Sequence, residues 1–281
     1  MIKVTEIDLK IDYLTRGITE PQRHCRLIGY ELPLYGPVRD IVRPAVIICP
    51  GGAYQHVSER EGEPVARAFL AEGIDAYILE YTCADQSFFP CALIETYTAI
   101  QYVRLHSADN NIDPNAIFLC GFSAGGHCAA AAGTMWNHEI ARSIGFTKET
   151  HKPNGMILGY PVINAKDYAH EESFRNLLGP QDSMEMREFL SLENRVTKNT
   201  PRTFLWHTAT DNSVPVQNSI LFAKALADNG VQFEMHIYPY GEHGLSTARF
   251  DVLTPGRFTA NDYMLQSVPT WINDAIRFLR G

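Results

Sequence analysis

The sequence lacks the patterns that would assign it to nucleic-acid-binding or membrane-spanning proteins. It contains no run of five or more basic residues, and its 24 Lys and Arg against 32 Asp and Glu give a net charge of −8. This balance argues against binding to nucleic acid or to an anionic membrane surface, where clustered basic residues are needed. No stretch approaches about 18 consecutive apolar residues, so no membrane span is expected.

The sequence also lacks the marks of a secreted, disulfide-rich protein. Its amino terminus, MIKVTEIDLKIDYL, alternates polar and apolar residues and has neither the apolar core nor the cleavage site of a signal peptide. The six cysteines have no CxxC spacing, and we interpret them as buried thiols: Cys25, Cys49, Cys83, Cys91, Cys120 and Cys128. These features predict a cytoplasmic protein.

The chain does contain a regular alternation of short apolar runs and longer amphipathic runs from residue 44 onward. This pattern is typical of an α/β protein with a mainly parallel central sheet flanked by helices. The chain has 281 residues, of which 45% are hydrophobic, and we expect a single domain over residues 1–281. No repeat or linker divides it.

Six apolar runs predict strands, at residues 44–50, 74–81, 116–121, 155–161, 202–208 and 233–239. Five amphipathic segments predict helices, at residues 59–72, 90–106, 123–137, 216–229 and 261–280. Pro269 is expected to interrupt the last helix, because proline clashes with a preceding carbonyl. Before residue 44, IKVTEIDL and HCRLIGYELPLY indicate an antiparallel start to the sheet.

One connection is much longer than the few residues that usually join a strand to its neighbour. Residues 162–200 separate two predicted strands and contain SFRNLLGP and the helical run SMEMREFLSLENRV. Open α/β sheets bind their ligands beyond the carboxyl ends of the strands, where this segment begins. We therefore predict a short lid insertion at about 162–200.

A serine stands where a strand must turn sharply into a helix. The stretch AIFLCGFSAGGHCAAAAGTMW runs from five apolar residues through Gly121, Ser123 and Gly125 into an alanine-rich segment. Glycines tolerate crowded or positive-φ backbone, which explains their presence but not that of the serine. GxSxG alone is a weak signal, but between a strand and a helix it predicts a nucleophile elbow at Ser123.

Serine needs a general base and an acid that orients the base. His243 is the best candidate base because YPYGEHGLS directly follows a predicted strand, at the sheet edge that carries the elbow. Its alternative interpretation is a surface-loop histidine. Four other histidines lie at helix ends, in a strand or on a buried helix: His106, His138, His236 and His127.

Asp211 is the candidate acid, because it follows the strand RTFLWHT and precedes an amphipathic helix. Its alternative interpretation is a helix cap, a position that aspartate favours. The order Ser123, Asp211, His243 is the order that this strand–turn–helix architecture uses. Asp228, in or at the end of a helix, and Glu242, next to the histidine, are poorer candidates.

The stretch IICPGGAYQHVS offers backbone amides for a developing oxyanion. Two glycines after a strand let amides approach a bound oxygen, so we predict an oxyanion hole of Gly52, Ala53 and Ala124, with Gly51 making the turn. A phosphate-binding loop is the alternative, but PGGAY fits neither the P-loop nor the GxGxxG spacing. No HExxH motif or Cys/His cluster offers metal ligands, and no metal or organic cofactor is expected.

These motifs together resemble the α/β-hydrolase superfamily, and within it the small acetyl-xylan-esterase and carboxylesterase type that includes xylanase B-like sugar hydrolases. The resemblance runs from about Pro44 to the end of the chain, through PGGAYQHVS, FLCGFSAGGHCAA, GYPVI and HTATDNSVPV. It implies the same triad and oxyanion amides, although Ala53 stands where such proteins often carry a third glycine. It also implies hydrolysis of short acyl esters, commonly acetate on sugars.

Several alternatives stay open at this point. A serine peptidase of the prolyl-oligopeptidase type shares the catalytic domain but usually needs a large additional domain. A hydrolase fold reused as a non-catalytic binding protein is expected to lose a triad member. We predict Tyr54 and Tyr160 as pocket-lining residues, although aromatic residues at strand ends are more often core or rim. No sequence feature decides whether a homodimer forms through a sheet edge.

Overall fold

The computed structural model describes residues 2–35, 40–83, 87–252 and 262–281. These residues form an eight-stranded sheet in the order β1-β2-β4-β3-β5-β6-β7-β8. The strands are β1 Lys3–Asp8, β2 Arg26–Glu31, β3 Arg43–Cys49, β4 Asp75–Glu80, β5 Ile112–Phe122, β6 Met156–Gly159, β7 Thr203–Thr208 and β8 Phe233–Tyr238. Strands β1 and β2 are antiparallel, β2 pairs antiparallel with β4, and all further pairs are parallel.

Helices connect the parallel strands and cover the sheet. They are α1 Glu63–Ala71, α2 Cys91–Leu105, α3 Ser123–Met135, α4 Glu139–Ser143, α5 Glu171–Leu178, α6 Met184–Phe189, α7 Gln217–Asp228, α8 Asp262–Ser267 and α9 Trp271–Arg280. The predicted α/β fold with a mainly parallel sheet and an antiparallel start is therefore confirmed. A 3-10 turn at Val268–Thr270 separates α8 from α9, as the position of Pro269 predicts. Asn261, the predicted start of this helix, lies outside the described residues.

The central strands are buried on both faces, which explains their nearly continuous apolar sequences. In β3, Val46 and Ile48 point into one hydrophobic cluster, whereas Ala45, Ile47 and Cys49 point into the other. This alternation follows from the two-residue period of a strand. Among the helices that the structure describes, none has both the length and the apolar character needed to cross a bilayer.

The parallel register brings the four loops that carry candidate site residues to one edge of the sheet. Cys49 at the end of β3 pairs with Gly121 near the end of β5, so the loops that follow these strands are neighbours. Strands β7 and β8 also end at this edge, and their loops carry Asp211 and His243. Candidate residues from four distant parts of the sequence therefore come together.

The segment 162–200 contains α5, α6 and a 3-10 turn at Leu192–Arg195. Phe174, Leu177 and Leu178 of α5 are buried in the main hydrophobic core. The segment is thus anchored to the body of the protein by apolar packing. A lid function for it stays a prediction.

Helix α3 begins in close contact with the end of β3. A Cβ on Gly125 would overlap the carbonyl oxygens of Cys49 and Pro50 far inside van der Waals contact. Neither Gly121 nor Gly125 has a positive φ, so crowding and not backbone conformation requires glycine at the elbow. The residue that adopts the left-handed conformation is Ser123 itself.

We expect Gly125→Ala to lower the free energy of unfolding by about 3 kcal/mol, because the added methyl group meets immobile backbone atoms. Urea denaturation with circular dichroism measures this loss. Gly230→Ala is the control: Gly230 has a φ of 66° and no atom within 4 Å of a built Cβ, so only backbone strain is added. This control should cost about 1 kcal/mol. Equal stability of the Gly125→Ala variant and the wild type would contradict the close contact.

Candidate active site

Ser123 stands at the joint between β5, which ends at Phe122, and α3, which it begins. Its φ is 53°, in the left-handed region that non-glycine residues rarely adopt. Such strain is found mainly at functional sites, where the surrounding structure holds it in place. The turn has the geometry of a nucleophile elbow, with Ser123 only 5% exposed.

The structure brings Ser123, His243 and Asp211 into one hydrogen-bonded chain. The Nε2 atom of His243 lies 2.8 Å from Ser123 Oγ, and its Nδ1 atom lies 2.7 Å from Asp211 Oδ2. A carboxylate only accepts hydrogen bonds, so Nδ1 carries the ring proton and Nε2 presents its lone pair to the serine hydroxyl. This is the tautomer that a general base for Ser123 needs.

Asp211 is held by several donors besides His243. The amides of Ser213 and Val214 each donate to its Oδ1 atom at 2.9 Å, and the Nε2 atom of His207 lies 3.3 Å from its Oδ2 atom. Burial by itself raises the pKa of this carboxyl group, but hydrogen bonds from His207 and His243 outweigh burial and leave the pKa below its usual value. Asp211 is therefore an anion at neutral pH although its side chain is fully buried.

The contact between His207 and Asp211 was not predicted from the sequence. The Nδ1 atom of His207 lies 2.8 Å from Ser219 Oγ, and its Nε2 atom lies 3.0 Å from the carbonyl oxygen of Val214. Because the atoms near Nε2 are acceptors, this nitrogen carries the ring proton. A histidine inside the apolar strand RTFLWHT was the available signal, since a buried polar side chain requires partners.

The loop after β3 has an unusual backbone at the predicted oxyanion residues. Gly52 has a φ of 119°, and Ala53 and Tyr54 follow at 55° and 56°. A Cβ on Gly52 would also overlap the carbonyl oxygen of His56, so this position requires glycine on both counts. Non-glycine residues rarely adopt positive φ, so Ala53 and Tyr54 carry backbone strain of the kind found at functional sites.

The amide of Ala124 completes this group of donors. It belongs to the first turn of α3, where backbone N–H groups have no partner inside the helix. Among the described residues, no hydrogen bond uses the N–H groups of Gly52, Ala53 or Ala124. These three amides are therefore free to bind an oxygen beside Ser123, and their role in an oxyanion hole is a proposal.

The two predicted pocket tyrosines are both buried. Tyr54 is 3% exposed and its hydroxyl oxygen lies 2.9 Å from His127 Nδ1. Tyr160 is 1% exposed, its ring packs edge-on against His243 with centroids 5.0 Å apart, and its hydroxyl donates to Glu61. Substrate contact by either tyrosine stays a prediction, because both hydroxyls are used inside the protein.

The insertion 162–200 directly contacts residues 50–58, the loop after β3 that we call the oxyanion loop. Asn176 of α5 donates from Nδ2 to the carbonyl oxygen of Ala53 at 2.8 Å. His127 lies between Tyr54 and the carbonyl oxygen of Leu190, 3.1 Å from its Nε2 atom. Burial lowers the pKa of His127 to about 4, so it stays neutral in this position. The insertion thus contacts the backbone of Ala53 directly and the side chain of Tyr54 through His127.

The described residues contain no group of three or more His, Cys, Asp or Glu side chains suited to hold a metal ion. The polar groups around Ser123 instead pair with one another. The hydrogen-bonded chain from Asp211 through the half-buried His243 to Ser123 uses both nitrogen atoms of the histidine ring. The arrangement can activate the serine hydroxyl and place an electrophile next to it.

Comparison with known proteins identifies relatives with named esterase and xylanase activities. An endo-1,4-beta-xylanase B from Butyrivibrio fibrisolvens is 34% identical over 212 residues, which are 74% of this chain and 33% of that protein. An acetylxylan esterase from Xylanibacter ruminicola is 29% identical over 248 residues, which are 83% of this chain and 47% of that protein. The chain thus spans between a third and a half of these two curated relatives.

Solved structures match over almost the whole chain. An acetyl ester-xyloside bifunctional hydrolase from Caldicellulosiruptor lactoaceticus is 34% identical, with a TM-score of 0.81 and coverage of 98% of this chain and 95% of that chain. A carboxylesterase from Lactobacillus plantarum is 26% identical, with a TM-score of 0.82 and coverage of 100% and 97%. The fold is therefore that of the α/β-hydrolase esterases. Since the BD-FAE family model matches residues 32–226, which carry the elbow, the oxyanion loop and Asp211, the chain belongs to the BD-FAE family.

Proposed function

We propose that this protein is a serine-dependent carboxylesterase that hydrolyses short-chain esters, above all acetyl esters of sugars or oligosaccharides. The observation that carries the proposal is the hydrogen-bonded chain from Asp211 through His243 to Ser123. A binding protein that reuses a hydrolase fold has no need to keep Ser123 in strained backbone with a base aimed at its hydroxyl.

In the first half of the proposed reaction, Ser123 Oγ attacks the ester carbonyl while His243 Nε2 takes the serine proton. The ring then carries a positive charge, which the anionic Asp211 stabilises at 2.7 Å. The amides of Gly52, Ala53 and Ala124 bind the negative charge that forms on the carbonyl oxygen. His243 returns its proton to the departing alcohol.

In the second half, water attacks the acyl group bound to Ser123. His243 again takes a proton, now from the water, and returns it to Ser123 Oγ when the acid leaves. Both halves use only side chains and backbone amides of this chain, and the mechanism requires neither a metal ion nor an organic cofactor.

Two observations support a short acyl group and a sugar alcohol. The insertion 162–200 packs onto the oxyanion loop through Asn176, and we propose that it acts as the lid of a single-domain enzyme and bounds the acyl site. One relative is named an acetylxylan esterase, and one similar solved structure is named an acetyl ester-xyloside bifunctional hydrolase. The choice of an acetylated sugar as substrate rests on these names.

Ser123→Ala is expected to lower kcat/KM on p-nitrophenyl acetate by about 10⁴-fold or more, because triad members act as a unit. The fold should be unchanged, since only the hydroxyl oxygen is removed, and thermal unfolding checks this. Ser143→Ala serves as the control, because its exposed hydroxyl donates to the carbonyl oxygen of Ile140 within α4, away from Ser123 in the sequence. A folded Ser123→Ala variant with wild-type turnover would disprove the nucleophile.

Asp211→Asn is expected to lower kcat by about 10⁴-fold with little change in KM. The amides of Ser213 and Val214 need the one remaining oxygen, so the new NH2 group faces His243 and donates to Nδ1. The ring then loses the tautomer that presents the Nε2 lone pair to Ser123. Asp228→Asn is the matched control, because Asp228 lies at the exposed end of α7 and pairs with Lys224. If Asp211→Asn lowered kcat only slightly and Asp228→Asn lowered it severely, the acid would be wrongly assigned.

The acyl preference is tested with p-nitrophenyl acetate, butyrate and octanoate, with Ser123→Ala as the blank. We expect kcat/KM to fall with acyl length, by at least about tenfold from acetate to octanoate, if the insertion bounds the acyl site as proposed. Acetate release from acetylated xylo-oligosaccharides then tests the sugar alcohol. Octanoate hydrolysis as fast as acetate hydrolysis would refute the short-chain assignment.

A further inference from the structure

Glu61 is a buried carboxylate with no part in the proposed reaction. It lies in the 3-10 turn Glu59–Glu61 that closes the oxyanion loop, and it is 4% exposed. Its Oε2 atom accepts the N–H of Gly51 at 2.7 Å. A Cβ built on Gly51 would lie 2.7 Å from Glu61 Oε2 and 2.9 Å from Ser123 Cβ, so the carboxylate and the nucleophile flank the same residue.

The other carboxylate oxygen of Glu61 is connected through Tyr160 to the segment that carries His243. Glu61 Oε1 accepts the hydroxyl of Tyr160 at 2.6 Å, and the Tyr160 oxygen accepts the N–H of Ser246 at 2.8 Å. Ser246 is three residues after His243, and the Tyr160 ring packs edge-on against the His243 ring. Burial, followed by the nearby Glu61, raises the pKa of Tyr160 well above its usual value, so its hydroxyl keeps the proton that it donates.

A second set of contacts joins the same two segments. Arg60 donates from Nη2 to the carbonyl oxygen of Gly244 at 2.8 Å and from Nε to that of Val252 at 3.2 Å. In return, Ser246 Oγ donates to the carbonyl oxygen of Arg60 at 2.6 Å. The turn Glu59–Glu61 is therefore attached, independently of Tyr160, to residues 239–252, the loop that carries His243 and that we call the histidine loop.

We propose that Glu61 and Tyr160 are positioning residues that couple the oxyanion loop to the loop of the general base. The proposal rests on the roles assigned above to Ser123 and His243. It adds that one carboxylate sets the placement of the first oxyanion-loop amide and, through Tyr160, the placement of the histidine ring.

This coupling acts on the reaction because both loops must be correctly placed in the same transition state. The amides bind the oxyanion while the imidazole holds the serine proton, and neither group has to bind the ground-state ester tightly. A small displacement of either loop should therefore lower kcat more than it changes KM. A residue that merely stabilises the fold would lower stability without this kinetic pattern.

The hydrogen-bond directions determine the most informative variants. In Glu61→Gln, the amide oxygen can still accept from Gly51, but the NH2 group then faces Tyr160, whose hydroxyl loses its acceptor. In Tyr160→Phe, the N–H of Ser246 and one oxygen of Glu61 lose their partner. Both variants break the same link from opposite sides with almost no change in volume.

Glu95→Gln is a matched control. Glu95 is fully buried and, like Glu61, accepts a tyrosine hydroxyl, that of Tyr13 at 2.8 Å, and a backbone N–H, that of Thr82 at 2.7 Å. It also accepts from the Thr82 hydroxyl and the Cys91 thiol. These partners belong neither to the oxyanion loop nor to the histidine loop. Loss of this carboxylate should cost stability but should change kcat less than about threefold.

The first experiment compares the wild type, the three single variants Glu61→Gln, Tyr160→Phe and Glu95→Gln, and the Glu61→Gln/Tyr160→Phe double variant. It measures kcat and KM on p-nitrophenyl acetate, and the melting temperature of each protein. We expect Glu61→Gln and Tyr160→Phe each to lower kcat by about 10- to 100-fold, with KM within about twofold of the wild type. The double variant should be no slower than the slower single variant, because both changes break one link. Wild-type kcat in Glu61→Gln, or additive losses in the double variant, would overturn the proposal.

The second experiment is independent of ester hydrolysis. Amide hydrogen exchange is measured by mass spectrometry on peptides that cover residues 51–58 and 241–248. We expect Tyr160→Phe to speed exchange in residues 51–58, which it reaches through Glu61, and Glu61→Gln to speed exchange in residues 241–248. If exchange changes only in the loop that the substituted residue contacts directly, the coupling is overturned. This result does not depend on esterase activity. A wild type that is inactive on every ester would refute the proposed function separately.

Discussion

Helix α3 begins against the carbonyl oxygens of Cys49 and Pro50, at a distance that only glycine at position 125 permits. This contact places the amino end of the helix directly beside the loop that follows β3. The serine at the elbow, the amide of Ala124 and the amides of Gly52 and Ala53 thereby share one small region. The other parts of the site are arranged around this backbone approach, because backbone atoms cannot move aside as side chains do.

The site contains backbone strain and a buried charge, both of which are unfavourable and are offset by contacts with the rest of the fold. Ser123, Ala53 and Tyr54 all adopt left-handed backbone, and Asp211 carries a charge in a fully buried position. The buried charge is balanced by two backbone amides and two histidines, which keep the pKa of Asp211 low. The strained loop after β3 is held by side-chain contacts to α5 and to the turn Glu59–Glu61. In the proposed mechanism, preorganisation of this kind lets the site meet a developing charge without reorganising.

Some of the site could be predicted from the sequence because its signals are local. The apolar run before Ser123 and the alanine-rich run after it predict a strand, a turn and a helix. Asp211 and His243 each follow an apolar run, and parallel strands that alternate with helices all end at one edge of the sheet. Residue type and strand order were therefore enough to select these three residues from 281. The fold class and the antiparallel start followed from the same alternation.

The remaining features depend on contacts between residues far apart in the chain. Glu61 stands in the charged run SEREGEP, where nothing in the sequence separates a buried carboxylate from its exposed neighbours. Tyr160 was selected, but only the packed structure places its hydroxyl between Glu61 and Ser246. The sequence by itself determined where strands and helices alternate along the chain, the elbow and the three polar residues after the strands, because these follow from periodicity and turn chemistry. Only the tertiary structure decided which polar groups pair inside, because burial and hydrogen-bond partners arise from close packing of separate elements.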